Sequence, residues 1–283
     1  MDDRNDTPPG TPHQARPPGT PPSTRLPHGF AAVTLVGALV VNFLANRLPL
    51  GGRTTGELSA LYPNLFVPAG LTFSIWGVIY LLVGAWAVVQ FLPSRAHLGM
   101  RIAPAFAASS VLNAAWLLAW HDTRVALSVG IMLALLAVLL YLNVLLRDAE
   151  APVPLLPRAA FGVYLGWVLV ATLVNVTAFL VSLGWEGGGV SPATWAAVLV
   201  LVGTGVAVIT MRRLRTPFPG LAVAWAFAGI ALNRWTDAPV VAWTAVAMIL
   251  VVAAATLATA AGFASPPSGP YSGDASPTRR KVA

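Results

Sequence analysis

Three asparagines and three tryptophans stand inside stretches that are otherwise apolar: Asn42, Asn113 and Asn175, with Trp76, Trp116 and Trp167. An amide offers hydrogen-bond donors and acceptors, and an indole offers a flat π-face with one N–H. Such groups recognise a flat, hydrophobic molecule with a few polar edges; they do not convert it. The groups that catalysis needs lie elsewhere. No Asp, Glu, Lys, Arg or His falls deep in an apolar stretch, and His13, His28, His97 and His121 are scattered over tails and loops. Neither a zinc site nor a Ser-His-Asp arrangement assembles from those pieces. The chain has no cysteine, which excludes disulfides, thiolate metal centres and iron–sulfur clusters. A binding protein that is not an enzyme and carries no cofactor is expected. The lack of intramembrane charge also argues against a proton- or sodium-driven pump.

The elements that hold these residues are long apolar blocks. Of 283 residues, 57% are hydrophobic and 10% charged, against about 25% charged in an ordinary soluble domain. A bilayer crossing needs about 20 apolar residues, and in lipid only helices or closed barrels satisfy their own backbone groups. The blocks lack period-two alternation, so the fold class is all-α integral membrane. Eight spans are predicted, at 29–48, 68–92, 102–120, 125–146, 158–183, 192–211, 218–235 and 239–262. Asn42, Asn113 and Asn175 fall on the first, third and fifth, each about 9–12 Å from the same end at 1.5 Å per residue. Trp76 reaches a similar depth on the second, whereas Asn143 lies near the opposite end of the fourth. Helical spacing puts Phe73, Trp76 and Tyr80 on one face, Asn113, Trp116 and Trp120 on another, and Trp167, Ala171 and Asn175 on a third. Two other roles are open to such residues: asparagine as interhelical glue and tryptophan as interface anchor. The anchor role is expected for Trp185, Trp195, Trp235 and Trp243. Gly162-x-x-x-Gly166 permits close helix approach, within the chain in the first place and across a homodimer in the second.

Outside the spans, residues 1–28 hold eight prolines and almost no aliphatic side chains, a composition that predicts a disordered tail. Residues 264–283 form a second, basic tail, and residues 49–67 a loop expected to fold over the bundle. Thirteen of the 17 basic residues fall on the side of both tails and four on the other. That asymmetry places both termini in the cytoplasm and identifies lipid bilayer, not nucleic acid, as the partner of the charge. Sixteen arginines to one lysine, with alanine-rich spans, suggest GC-rich bacterial coding and hence a plasma-membrane location.

The same residues carry a family resemblance. FSIWGVIYLLVGAW (73–86), VLNAAW (111–116) and YLGWVLVATLVN (164–175) resemble the second-, third- and fifth-helix signatures of the tryptophan-rich sensory protein family, the TspO/MBR-type relatives of the mitochondrial translocator protein or peripheral benzodiazepine receptor. The matches stand in family order within residues 29–183. The resemblance implies a five-helix bundle that binds porphyrins, sterols or synthetic aromatic ligands under the loop joining its first two helices. Carried over by motif, the ligand-binding residues are Trp76, Asn113, Trp116, Trp167, Ala171 and Asn175. Phe73 shares the Trp76 face, and Tyr62, Pro63, Phe66 and Pro68 belong to the covering loop. LYPNLFVPAG (61–70) lacks the tryptophans of the family loop, and VTAFLVSLGW (176–185) lacks the Tyr and basic residue of the animal cholesterol pattern. Three further helices in 184–263 lie beyond the matched motifs.

These readings predict a multi-pass membrane receptor or sensor for a tetrapyrrole-, sterol- or isoprenoid-like molecule. The alternative is a transporter or facilitator of a small solute or lipid-like molecule, which the number of spans suggests.

Overall fold

The computed structural model describes residues 25–47 and 52–264, and it is built from helices, with no strand among the described residues. The long ones are α1 (Arg25–Arg47), α3 (Ile75–Val89), α4 (Ala96–His121), α5 (Val125–Arg147), α6 (Leu155–Ser182), α7 (Pro192–Leu214), α8 (Phe218–Arg234) and α9 (Pro239–Ala264). They correspond one to one with the eight predicted spans. A short α2 (Thr55–Ser59) and a 3-10 turn (Gly70–Ser74) interrupt the first loop.

Seven helical segments are long and apolar enough to cross a membrane. The exception, α8, has 17 residues, which gives it about 26 Å at 1.5 Å per residue, close to the roughly 30 Å hydrocarbon core.

The predicted boundaries shift where local chemistry differs from expectation. α4 begins at Ala96 rather than 102 and carries Pro104 inside it; neighbouring helices make a proline tolerable in such a setting. The predicted disordered tail loses its last residues to α1, which starts at Arg25 and buries His28 against Phe91 at a ring separation of 5.6 Å. The remainder of that tail, and residues 265–283, lie outside the described residues. α7 starts as its sequence suggests, with Ser191 Oγ accepting from the Thr194 N–H at 3.1 Å and Pro192 in the first turn, where a missing N–H costs nothing.

α6 is the hub, packing against α3, α5, α7 and α8. α1 lies on α4 and α3 at one flank, and α9 lies on α7 and α8 at the other. The final three helices are thus continuous with the rest. Gly162 and Gly166 explain how α8 joins α6. A Cβ on Gly162 would stand 2.6 Å from Phe218 Cβ, and one on Gly166 would strike the Pro219 backbone. The glycine pair therefore receives the start of α8 within the chain. Asn143, near the other end from the aromatic layer, donates from Nδ2 to the Phe161 carbonyl at 3.1 Å, tying α5 to α6 as interhelical glue.

Candidate ligand-binding site

Helical spacing on three helices gathers one aromatic cluster. On α3, Trp76 stacks on Tyr80 at 5.4 Å between ring centroids and on Trp116 of α4 at 6.3 Å. Trp116 in turn stacks on Trp120 at 6.3 Å, and Trp120 meets Tyr62 of the covering loop at 5.8 Å. From α6, Tyr164 and Trp167 meet Trp76 edge-on at 5.8 and 6.3 Å, and Phe73 meets Trp167 edge-on at 5.7 Å. Offset and edge-on contacts are the arrangements that the ring quadrupoles favour.

A cavity opens on this cluster. Among its lining residues are Phe73, Trp76, Trp116, Trp167, Ala171 and Asn175, all of them expected from the sequence. Its volume is only about 30 Å³, room for a water or two. The tryptophans fill most of the space themselves, so a ring-sized guest needs the walls to part.

The other expected residues stand nearby but not in the wall. Asn113 is buried beneath the cavity and donates from Nδ2 to Tyr80 Oη at 2.9 Å. It positions Tyr80, which backs Trp76. Tyr62 is not in the wall and meets Trp120, which is. Phe66, 1% exposed, lines a neighbouring cavity of about 260 Å³ with Trp185 and Trp195. Asn42, on α1, is not among the lining residues.

Several lining residues were not singled out from sequence. Val170 and Val174 belong to the Trp167 face by their i+3 and i+7 spacing. Thr55 and Ser59 enter the wall from α2. The signal for α2 is Thr54-x-x-Glu57, a capping box: Thr54 Oγ1 accepts from the Glu57 N–H at 3.3 Å, and Glu57 Oε2 accepts from the Thr54 N–H at 2.7 Å. The backbone N–H and then the hydroxyl of Thr54 hold the Glu57 carboxyl below its ordinary value. α2 is fastened to the cluster by Trp120, whose Nε1–H donates to the Thr55 carbonyl at 3.3 Å.

Two indole donors in the wall are different. Trp116 and Trp167 are 5% and 3% exposed, and neither Nε1–H meets an acceptor among the described residues. A buried donor without a partner is costly, and such exceptions concentrate where a ligand or water completes the set. Asn175, by contrast, is already engaged: its Oδ1 accepts from Ser128 Oγ of α5 at 2.8 Å.

The loop above the cavity is held down by a single face of α8. Trp225 Nε1 donates to the Thr72 carbonyl at 2.8 Å, the Ala69 N–H donates to the Gly229 carbonyl at 3.0 Å, and Asn233 Nδ2 donates to the Val67 carbonyl at 3.0 Å. Those three helix positions are four residues apart and share a face. Arg234 adds a bond from Nη2 to the Asn64 carbonyl at 3.3 Å while its Nη1 pairs with Asp237. Four further tryptophans pair at the same end: Trp185 with Trp195 at 4.9 Å, and the exposed Trp235 with Trp243 at 5.2 Å. Exposed rings at a helix end suit a membrane interface.

A family model described as TSPO-like protein matches residues 29–258. The match extends through α7 and α8 and into α9, well past the five-helix region that carries the sequence motifs. No curated protein and no solved structure matches the chain. With most of its length matched, the chain belongs to the TSPO-like family of multi-pass membrane proteins.

Proposed function

We propose that this member of the TSPO-like family is a membrane receptor that binds a flat, hydrophobic small molecule of tetrapyrrole, sterol or isoprenoid type. The ligand lies between α3, α4 and α6 beneath the loop of residues 52–70. The observation that carries this reading is the pair of partnerless indole N–H groups, Trp116 and Trp167, in one apolar cavity. A ligand with oxygen or nitrogen acceptors on its rim satisfies both while its faces lie on Trp76 and Phe73. The polar groups present are amides, hydroxyls and indoles, which orient a guest without attacking it, so the protein binds rather than catalyses.

The 30 Å³ volume makes entry a conformational step. The loop is the moving wall in this scheme, and its hydrogen bonds to α8 are what opening must break. Binding and loop release are coupled: a ligand that requires the open loop loses affinity by the fraction of time the loop is closed.

Titration of the purified protein with protoporphyrin, haem and a sterol, followed by intrinsic tryptophan fluorescence, tests the proposal. Saturable quenching by one of them, weakened in Trp116→Phe and Trp167→Phe, is the expected result. Quenching of equal strength in wild type and both variants would place any binding elsewhere and remove the basis for this reading.

A further inference from the structure

At the bundle end opposite the aromatic cluster, α5 and α7 finish, α6 starts and α9 finishes. Arg147, Arg158, Arg212 and Arg215 surround a cavity of about 770 Å³ there, with Ala258 and Gly262 of α9 in its wall. We infer that this cavity binds the phosphate headgroup of an anionic phospholipid.

Four guanidinium groups around one space are a poor arrangement for a protein by itself, since like charges repel. Arg147 is offset locally: it pairs with Asp148 through Nε at 2.7 Å and Nη2 at 2.8 Å. Its Nη1 donates to the Arg213 carbonyl at 3.0 Å, which ties α5 to α7 and sets one edge of the cavity. Asp148 is itself shared, with Arg101 Nη2 donating to its backbone carbonyl at 3.0 Å. The Arg147 guanidinium, with Arg101 and Arg215 beyond it, holds the Asp148 carboxyl below its ordinary value. Among the described residues, Arg212 and Arg215 form no ion pair. Arg215 closes α7 in the left-handed conformation, φ 51°, which turns the chain sharply and keeps two arginines of the α7 terminus at one cavity. Planar guanidinium forks are suited to phosphate oxygens.

The wall chooses a lipid over a soluble phosphate. Ala258 and Gly262 leave space along α9, and a Cβ added to Gly262 would meet nothing within 4 Å. Next to Ala258, Leu257 is 71% exposed, and a helix flank of that kind lies against acyl chains. A basic pocket between helices at a membrane face is a recognised form of headgroup site. On the orientation that the arginine excess implies, it opens to the cytoplasmic leaflet, where anionic lipids reside. This inference is independent of the aromatic cavity and of any ligand bound there.

The test uses the full chain in neutral detergent, with bound lipid counted by native mass spectrometry after addition of phosphatidylglycerol or phosphatidylcholine. Preferential retention of phosphatidylglycerol is expected, with a loss of about fivefold for each arginine in Arg212→Gln and Arg215→Gln. Ala258→Trp fills the cavity without changing charge and is expected to displace the lipid as well. Arg124→Gln, at the other end of the bundle, leaves retention unchanged. Circular dichroism confirms folding of each variant, and Ala258→Trp keeps the test decisive if an arginine variant does not fold. Equal retention of both lipids, or undiminished phosphatidylglycerol in the arginine pair and in Ala258→Trp, overturns the inference. Inorganic phosphate binding as tightly as phosphatidylglycerol would assign the cavity to a soluble anion and overturn the lipid assignment.

Discussion

Asn233 Nδ2 donates to the Val67 carbonyl at 3.0 Å, joining two residues 166 positions apart. That bond links the last part of the bundle to the loop that closes the aromatic cavity. It gives α8 a physical role: α8 supplies a polar seam, Trp225, Gly229, Asn233 and Arg234, on which the loop is fastened. Replacing Asn233 by Ala removes about 1 kcal/mol of loop anchoring, a factor of about five in the opening equilibrium. Hydrogen exchange of the amides between residues 62 and 70 is expected to accelerate by that factor, while amides in α4 and α6 stay unchanged. An unaltered loop rate would show that the seam is not what holds it.

Gly229 tests the same seam by sterics. A Cβ there would stand 2.8 Å from both Cβ and Cγ2 of Thr72 and closer still to its hydroxyl. Such overpacking costs about 1–3 kcal/mol if nothing moves. Since the loop is the softer partner, Gly229→Val is expected to lift the 70–74 turn off α8 and speed ligand entry in stopped-flow quenching. Thr72→Gly in the same chain removes all three atoms that the new Cβ would meet, and the closed loop is expected to return. A Gly229→Val protein that binds at the wild-type rate speaks against a loop-gated cavity.

The two partnerless indoles make separate predictions for binding and for folding. Trp116→Phe and Trp167→Phe keep a six-membered aromatic ring but delete the N–H together with the rest of the indole's five-membered ring. Without that donor, affinity for an acceptor-bearing ligand should fall by roughly tenfold, the worth of about 1.4 kcal/mol. Stability should fall only by the cost of the small cavity left, because the lost N–H has no partner among the described residues and its burial was unfavourable. Thermal unfolding beside fluorescence titration separates the two effects. A large drop in melting temperature with unchanged affinity identifies both rings as packing residues.

The spans were readable because their signal is long and repeated: a bilayer sets one length and one composition, and seven of the eight predicted blocks meet it, with α8 just short of the length. The face positions of Trp76, Trp116, Trp167, Ala171 and Asn175 followed from the helical period alone. Asn113 shares its expected depth with Asn175, yet depth does not say whether an amide faces space or a neighbour, and Tyr80 claims it. Phe66 was assigned to the covering loop correctly but turns toward Trp185 and Trp195, because the direction of a loop side chain depends on contacts distant in sequence. The α8 seam had a periodic signature in Trp225, Gly229 and Asn233. Its meaning lay in the loop it meets, which no local pattern reveals. The capping box of Thr54 and Glu57 was a legible short motif, hidden only by being sought in a loop.

Acid should loosen the same loop through α2. The Glu57 carboxyl is held below its ordinary value of 4.5 by the Thr54 N–H and hydroxyl, so folding favours its charged form. A carboxylate shifted down contributes its stability above the unfolded pKa and loses it as pH falls through the folded one. The cap is therefore at full strength at neutral pH and fails only below about pH 4.5. Hydrogen exchange at residues 54–58, corrected for its intrinsic pH dependence, is expected to rise in that acid range in wild type. Glu57→Gln should show no such rise. A parallel acid response in Glu57→Gln assigns the effect to another group.

Asn143 and Asn175 divide the asparagines by role. Asn143 donates to the Leu139 and Phe161 carbonyls at 2.9 and 3.1 Å, far from the cavity, and acts between α5 and α6. Interhelical side-chain bonds of this sort are worth about 0.6 kcal/mol, up to about 1.7. Asn143→Ala is therefore expected to lower stability by that amount and leave ligand affinity intact. Asn175 bonds Ser128 at 2.8 Å and also lines the cavity, so Asn175→Ala should weaken both. Ser128→Ala distinguishes the two contributions of Asn175: it removes the α5 bond while leaving the amide in the wall. Affinity retained in Ser128→Ala but lost in Asn175→Ala means that the amide itself contacts the ligand. Equal losses in both mean that Asn175 acts only by holding α5 against α6, and the recognition would then rest on the indoles.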